Sequence, residues 1–178
     1  MTELYFDNYL IRSYKETDAK SLSYNANHPE INKYLADGFP FPYTIETAEQ
    51  WIKFALEKDT NLFFAIVSKD EVIGGISATP YSNVHRFTAE VGFWIGKEYW
   101  NKGITTRALL TFCNYLFTKF DFNRLTAKVF EGNEASKKVL LKCGFSLEGI
   151  HPESVFKNDI FVTHYTYGLL KKDFKYDR

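Results

Sequence analysis

The stretch EYWNKGITTRALL, residues 98–110, sets a single glycine, Gly103, between an aromatic pair and an apolar run with helical spacing. The first amides of a helix have no intrahelical acceptor, and a glycine there lets another group come close. Joined to the positive end of the helix dipole, such amides suit a phosphate, and the hydroxyls of Thr105 and Thr106 add donors. The same residues also read as a plain loop-to-helix junction with Gly103 in a turn, so the segment alone leaves two readings open. GxxxxGK followed by Ser or Thr is absent, as is GxGxxG after a strand, which argues against a nucleotide hydrolase. HExxH and GxSxG are absent too, and His28, His85, His151 and His164 stand apart in the sequence. They read as surface or structural residues, and no metal site is expected. Cys113 and Cys143 are too few and too far apart for a disulfide framework or a CxxC knuckle. Both fall in apolar helical stripes and read as packing residues.

Other elements must position this segment. Residues 9–14 suggest a short strand, and 16–27 a helix with Thr17 or Asp18 as N-cap. The next stretch, HPEINKYLADGFPFPYT, is broken by proline and glycine into a short helix and a loop, and 45–58 return to helical periodicity. From Leu62 the texture becomes strand-like: LFFAIVSK, a turn at Asp70-Glu71, then VIGGISAT. In FTAEVGFWIG, Ala89, Val91, Phe93 and Ile95 share one face and Glu90, Gly92 and Trp94 the other. After Gly103, the spacing of Ala108, Phe112, Leu116 and Phe120 predicts a long helix with an apolar stripe. RLTAKVFE reads as a strand, NEASKKVLLKCGF as a helix closed by Gly144, and DIFVTHYTYGLL as a final strand. The strand–helix–strand order around 87–131 implies a right-handed crossover and a parallel strand pair, and ligands in such sheets bind at the carboxyl ends of strands.

The totals bound the possibilities. A chain of 178 residues is about one domain, and 1–178 is taken as one because no repeat, low-complexity tract or linker interrupts it. Hydrophobic residues make up 45% and charged residues 25%, a composition that folds rather than stays disordered. Twenty-two basic residues balance twenty-two acidic ones, so no global field draws the chain to nucleic acid or an anionic membrane. The N-terminus lacks a basic start followed by an apolar run, and no apolar run approaches the roughly 20 residues that span a bilayer. Cytoplasmic localisation follows as the expectation.

AEVGFWIGKEYWNKGITTRALLTF, RLTAKVFEGNEASKKVLLKCGF and VTHYTYGLLKKDF, in that order and spacing, resemble the GNAT superfamily of N-acetyltransferases. Within it they are similar to the branch of ribosomal-protein N-terminal (Ser/Ala) acetyltransferases, and the resemblance covers nearly the whole chain. It implies a mixed α/β fold: a central, mostly antiparallel sheet with one parallel, splayed strand pair, flanked by helices. It implies acetyl-CoA as co-substrate, no metal, and a monomer or homodimer. In the family, a Gln/Arg-x-x-Gly-x-Gly/Ala loop cradles the pyrophosphate of acetyl-CoA, which carries over to Asn101, Lys102, Gly103, Ile104, Thr105 and Thr106. Here Trp100 stands in place of Gln/Arg and Thr105 in place of the last small residue, although an aromatic-Trp pair before the loop is typical of the ribosomal-protein branch.

The resemblance further implies that the pantetheine arm inserts between the strand ending FWIG and RLTAKVF, pairing with backbone groups of Trp94 and Ile95. An amide at a bulge there polarises the thioester carbonyl, and Gly92 and Gly96 ease the distortion. Asn133 and Ser136 match the family's N-x-x-S: Asn133 binds pantetheine, and Ser136 meets the departing sulfur. The plain alternative makes Asn133 an N-cap and Ser136 an incidental first-turn residue. Lys137, Lys138 and Lys142 are close enough to meet a 3′-phosphate, though such a run is more often a solvated face. Glu90 is the candidate base, directly or through water; a paired surface carboxylate is the other reading. Direct transfer in a ternary complex is expected rather than an acetyl-cysteine, since Cys113 lies in the apolar stripe. The acceptor is a primary amine, either a protein α-amino group or a small molecule such as a polyamine, amino acid or antibiotic. A non-catalytic module that binds acetyl-CoA to control a partner is the competing class.

Overall fold

The computed structural model describes residues 2–57 and 62–176. Lys58, the last residue of the expected 45–58 helix, lies outside them, as do Met1 and residues 177–178 of the 1–178 domain reading. The strands are β1 Glu3–Phe6, β2 Tyr9–Arg12, β3 Leu62–Ser68, β4 Glu71–Pro80, β5 Thr88–Ile95, β6 Arg124–Phe130, β7 Ser146–Lys157 and β8 Ile160–Leu170. The helices are α1 Ala19–Ala26, α2 Pro29–Asn32, α3 Ile45–Glu57, α4 Ile104–Lys119 and α5 Glu134–Lys142. The strands form one sheet in the order β1-β2-β3-β4-β5-β6-β8-β7. Among the described residues only β5 and β6 pair in parallel, as a strand–helix–strand unit through α4 requires.

The helical stripe of α4 decides one layer. Leu109, Phe112, Cys113 and Leu116 are fully buried and meet Phe64, Ile73, Val91 and Leu125 of the sheet. Each such side chain stabilises the fold by roughly 1.5–3 kcal/mol. On the other face α1 and α3 place Leu22 and Ile52 against Ala65, Val67 and Val72. Among the described residues no helix is long and apolar enough to cross a membrane.

Several local expectations shift for physical reasons. The β3–β4 turn is Lys69-Asp70, one residue before Asp70-Glu71: both residues have positive φ (47° and 67°), as the mirror-image two-residue hairpin turn demands. Neither Thr17 nor Asp18 gives α1 a side-chain cap. A 3-10 turn at Glu16–Asp18 comes first, and the buried Asp18 carboxylate instead pairs with both terminal nitrogens of Arg12 at 2.7 and 2.9 Å. The β4–β5 register runs unbroken from Gly74↔Ile95 to Pro80↔Ala89, so the bulge expected in β5 is absent. Gly96 has a different reason: a Cβ there would meet Asn25 Oδ1 at 2.6 Å.

What positions the site is the short reach of the β5–β6 pairing. The two strands are in register only at Thr88↔Arg124, Ala89↔Leu125 and Glu90↔Thr126. Beyond Glu90, β5 stays with β4 and β6 stays with β8, and a wedge opens between them.

Candidate active site

Gly103 sits at the N-cap of α4 with φ 75° and no side-chain cap, and the first helical bond runs from Arg107 N–H to the Gly103 carbonyl, 3.1 Å. The amides of Ile104, Thr105 and Thr106 therefore precede the helical ladder and remain available. A Cβ built on Gly103 meets nothing within 4 Å, and Gly103, Ile104, Thr105 and Thr106 together line a cleft. Asn101, also left-handed at φ 59°, bends the chain into this position. Trp100, the departure from the family pattern, acts as a tether: its indole Nε1 donates to the Ile95 carbonyl at 2.9 Å and ties the loop to the end of β5.

The bonds Gly96 N–H to Ile73 O (2.8 Å) and Tyr81 N–H to Thr88 O (2.9 Å) fix the phase of the β4–β5 ladder. Antiparallel ladders alternate, so even-numbered residues of β5 bond toward β4 and odd-numbered ones face the wedge. Phe93 and Ile95 thus present backbone groups to the opening, while those of Trp94 face β4. Trp94 borders the cleft as well, its ring edge-on to Phe39 at 5.4 Å.

The wedge and the α4 N-terminus share one cleft of about 640 Å³. Trp94, Ile95, Asn101, Gly103, Ile104, Thr105, Thr106, Asn133 and Ser136 all line it. Lys102 does not; its ammonium lies over the Tyr99 ring, 5.5 Å from the centroid. Lys138 and Lys142 line the cleft, whereas Lys137 turns to Glu134 (2.7 Å) and the Tyr165 ring (4.0 Å). Asn133 Oδ1 accepts from Ser136 N–H at 3.1 Å, so Asn133 caps α5 while also facing the cleft. Asn133→Ala is expected to lower stability by about 1 kcal/mol, the usual value of such a cap, read as a smaller urea midpoint at constant m. The Ser136 hydroxyl makes no hydrogen bond to protein among the described residues.

Glu90 occupies the last β5–β6 pair, at the vertex of the wedge rather than in the cleft lining. Its Oε2 accepts from Tyr81 OH at 2.8 Å and pairs with Lys128 Nζ at 2.9 Å, which leaves Oε1 without a protein partner among the described residues. Burial, then the hydrogen bond to Glu90, pushes the Tyr81 phenol up to about 12, so it remains a donor to the carboxylate.

Sequence reasoning did not find Tyr81, Lys128, Tyr34 or Glu30. Tyr34 OH donates to the Gly132 carbonyl at 3.1 Å, and Glu30 pairs with Lys97 at 2.9 Å. The segment after α1 therefore crosses the cleft from one wall to the other. Only the strand register could have paired Lys128 with Glu90, and no local pattern marks Tyr34. His151 and His164, apart in the sequence, stack with ring centroids 4.3 Å apart.

The cysteines are inert by environment. Cys113 and Cys143 are both buried; burial raises the Cys113 thiol well above its ordinary value and pushes Cys143 up to about 12. Treating the native protein with iodoacetamide at pH 7 is expected to leave activity intact and alkylate neither thiol, as intact mass would show. Rapid alkylation with loss of activity would restore the acetyl-cysteine route.

Comparison with known proteins agrees with this geometry. The Acetyltransferase (GNAT) domain family matches residues 8–146. An uncharacterized N-acetyltransferase of Bacillus licheniformis is 30% identical over 98% of this chain and 99% of its own. The ribosomal-protein-serine acetyltransferase of Escherichia coli is 32% identical over 55% of this chain and 54% of its own. The crystal structure of ribosomal-protein-S5-alanine acetyltransferase from Vibrio fischeri superposes with a TM-score of 0.84 at 24% identity, covering 98% of this chain and 100% of that one. With the parted strands, the open helix N-terminus and a family match across most of its length, the chain belongs to the GNAT family and is an acetyl-CoA-dependent N-acetyltransferase.

Proposed function

We propose that the chain acetylates a protein N-terminal α-amino group, directly from acetyl-CoA in a ternary complex. One observation carries this reading: β5 and β6 part immediately after Glu90, so the strand wall of the cofactor cleft ends at a carboxylate that also faces the open side of the sheet. The α4 amides at 104–106 hold the pyrophosphate, Phe93 and Ile95 offer backbone groups to the pantetheine, and one of their amides polarises the thioester carbonyl. Asn133 flanks the arm. The amine nitrogen attacks the carbonyl carbon, Glu90 receives its proton directly or through water, and the C–S bond breaks with its electron pair leaving on sulfur. Ser136 hydrogen-bonds that sulfur and passes it a proton, directly or through water, and water restores the hydroxyl's own proton.

The charge around Glu90 favours an α-amine over a polyamine. Lys128 already neutralises the carboxylate and stands as a like charge against a second ammonium. An α-amino group, with a pKa of about 7.7–8.0, also yields its proton more readily than an alkylammonium near 10. The relatives that act on ribosomal proteins support the same class. Cytoplasmic action by a single-domain monomer or homodimer belongs to this proposal.

The test is thiol release from acetyl-CoA with peptides starting in Ser or Ala, spermidine, free amino acids and aminoglycosides. Faster release with the peptides is expected. Faster release with spermidine would transfer the reading to small amines, and acetyl-CoA binding without release on any acceptor would contradict it.

A further inference from the structure

In a sheet, residues in direct register share a face. Glu90 pairs with Thr126, Lys128 with Thr166, Phe130 with His164, and His164 with His151. Glu90, Lys128, His164 and His151 therefore stand on one face, to which no sequence pattern assigns them. α1 and α3 pack over the β3–β4 part of that face, whereas the Lys128 side chain is 47% exposed and that of Glu90 30%. The open part is where an acceptor can approach the wedge vertex.

The two imidazoles here are arranged for more than packing. Their rings are 12° from parallel at a centroid separation of 4.3 Å. Ser154 Oγ donates to the His151 carbonyl at 2.7 Å and also lies 2.7 Å from His164 Nδ1. A hydroxyl has one proton to give. With that proton on the carbonyl, Ser154 accepts from His164, so Nδ1 carries hydrogen and Nε2 keeps a lone pair. His151 is held in turn by Thr166, Nε2 to Oγ1 at 3.1 Å.

We infer that His164 Nε2 takes up the proton that leaves the acceptor amine and returns it to solvent, with Ser154 and His151 as positioning residues. The inference rests on the reading that the acceptor meets the wedge at Glu90. As the new N–C bond forms, the amine N–H bond breaks and its proton passes by way of Glu90 or water to Nε2. The imidazole becomes an imidazolium with both nitrogens protonated, and the Nε2 proton then goes to bulk water. The charged groups around it fit a transient carrier. Burial, then His151 of β7 and Lys128 of β6, hold the His164 pKa below the usual imidazole value, while Glu90 of β5 opposes them. Glu131, whose Oε2 accepts from Thr163 N–H at 3.3 Å, is the neighbouring carboxylate on the loop after β6. On balance these surroundings disfavour the imidazolium, as a transient carrier requires.

The test is kcat/KM against pH, by thiol release with acetyl-CoA and an Ala-starting peptide, for the wild type, His164→Gln and His151→Phe. The wild type is expected to show a limb that rises with pH through the depressed His164 pKa. His164→Gln should abolish that limb and lower kcat/KM at pH 7 by about 10- to 100-fold, a value at or below the usual range for a lost general base. His151→Phe keeps an aromatic partner and removes the imidazole that lowers the His164 pKa, so the limb should move to higher pH. Nitrogen-15 imidazole shifts of the wild type should report the Nδ1–H tautomer at His164, a readout independent of turnover and of how the variants fold. The Nε2–H tautomer, or an unchanged limb in His164→Gln, would overturn the inference while leaving the transferase reading intact. Absence of release from the wild type with any peptide would remove the acceptor reading and this inference with it.

Discussion

Glu90→Gln is expected to lower kcat by about 10²-fold or more, the usual contribution of a positioned proton acceptor, with little change in acetyl-CoA affinity. The expectation comes from where the carboxylate stands. It closes the β5–β6 pairing at the vertex of the wedge and does not line the cleft proposed to receive the cofactor. Glutamine keeps the shape and an oxygen for Tyr81 and Lys128, so the fold around the vertex should survive. The amide oxygen cannot hold the amine's proton. Steady-state kinetics give kcat, and calorimetry gives the acetyl-CoA dissociation constant. An unchanged kcat would assign Glu90 to its surface pair with Lys128 alone.

Gly103→Val should weaken acetyl-CoA binding by roughly 100-fold. The substitution acts on both the backbone and the cleft. A φ of 75° costs a residue with a side chain about 1–2 kcal/mol, and a β-branched one tolerates it least. The new side chain also enters the cleft that Ile104, Thr105 and Thr106 line with Gly103, where a pyrophosphate would take charge-assisted hydrogen bonds worth about 1.5–3 kcal/mol each. The strain falls on the folded protein with or without ligand and lowers stability; losing about 2.8 kcal/mol of the phosphate hydrogen bonds alone is a factor of about 100 in affinity. A valine variant that folds and binds acetyl-CoA as the wild type does would defeat the phosphate-cradle argument.

Much of this site could be read along the chain because its parts are local. Gly103 and the following amides form one helix start, and Asn133 and Ser136 form another. The 3.6-residue period of α4 and the alternation in β5 and β6 are strong enough to give the parallel pairing of these two strands. Where the signal failed, the period was broken or the contact was distant. β7 escaped recognition because Gly149 and Pro152 interrupt it and its register slips at Leu147/Gly149 and His151/Val155. An edge strand tolerates such breaks, since one side of its backbone has no ladder to keep. β1 is four residues long and turns at once through Asp7, φ 45°, too short to show alternation.

The distant contacts explain the rest. His151 and His164 are 13 positions apart and meet only because β7 and β8 fold back as a hairpin. Lys128 reaches Glu90 across a crossover that contains all of α4. Tyr34 bonds Gly132 across 98 positions. No spacing rule covers such pairs, and they surround the acceptor side. The proposed cofactor side is built from helix starts and strand ends, which is why it is the more legible half.

Initial velocities measured over a grid of acetyl-CoA and Ala-starting peptide concentrations, read as free thiol, test the central claim most directly. Both substrates must occupy the wedge together if the amine attacks the thioester there, so the double-reciprocal lines should intersect. Parallel lines, the mark of a covalent acetyl-enzyme, would contradict direct transfer, as would thiol release that does not depend on the peptide.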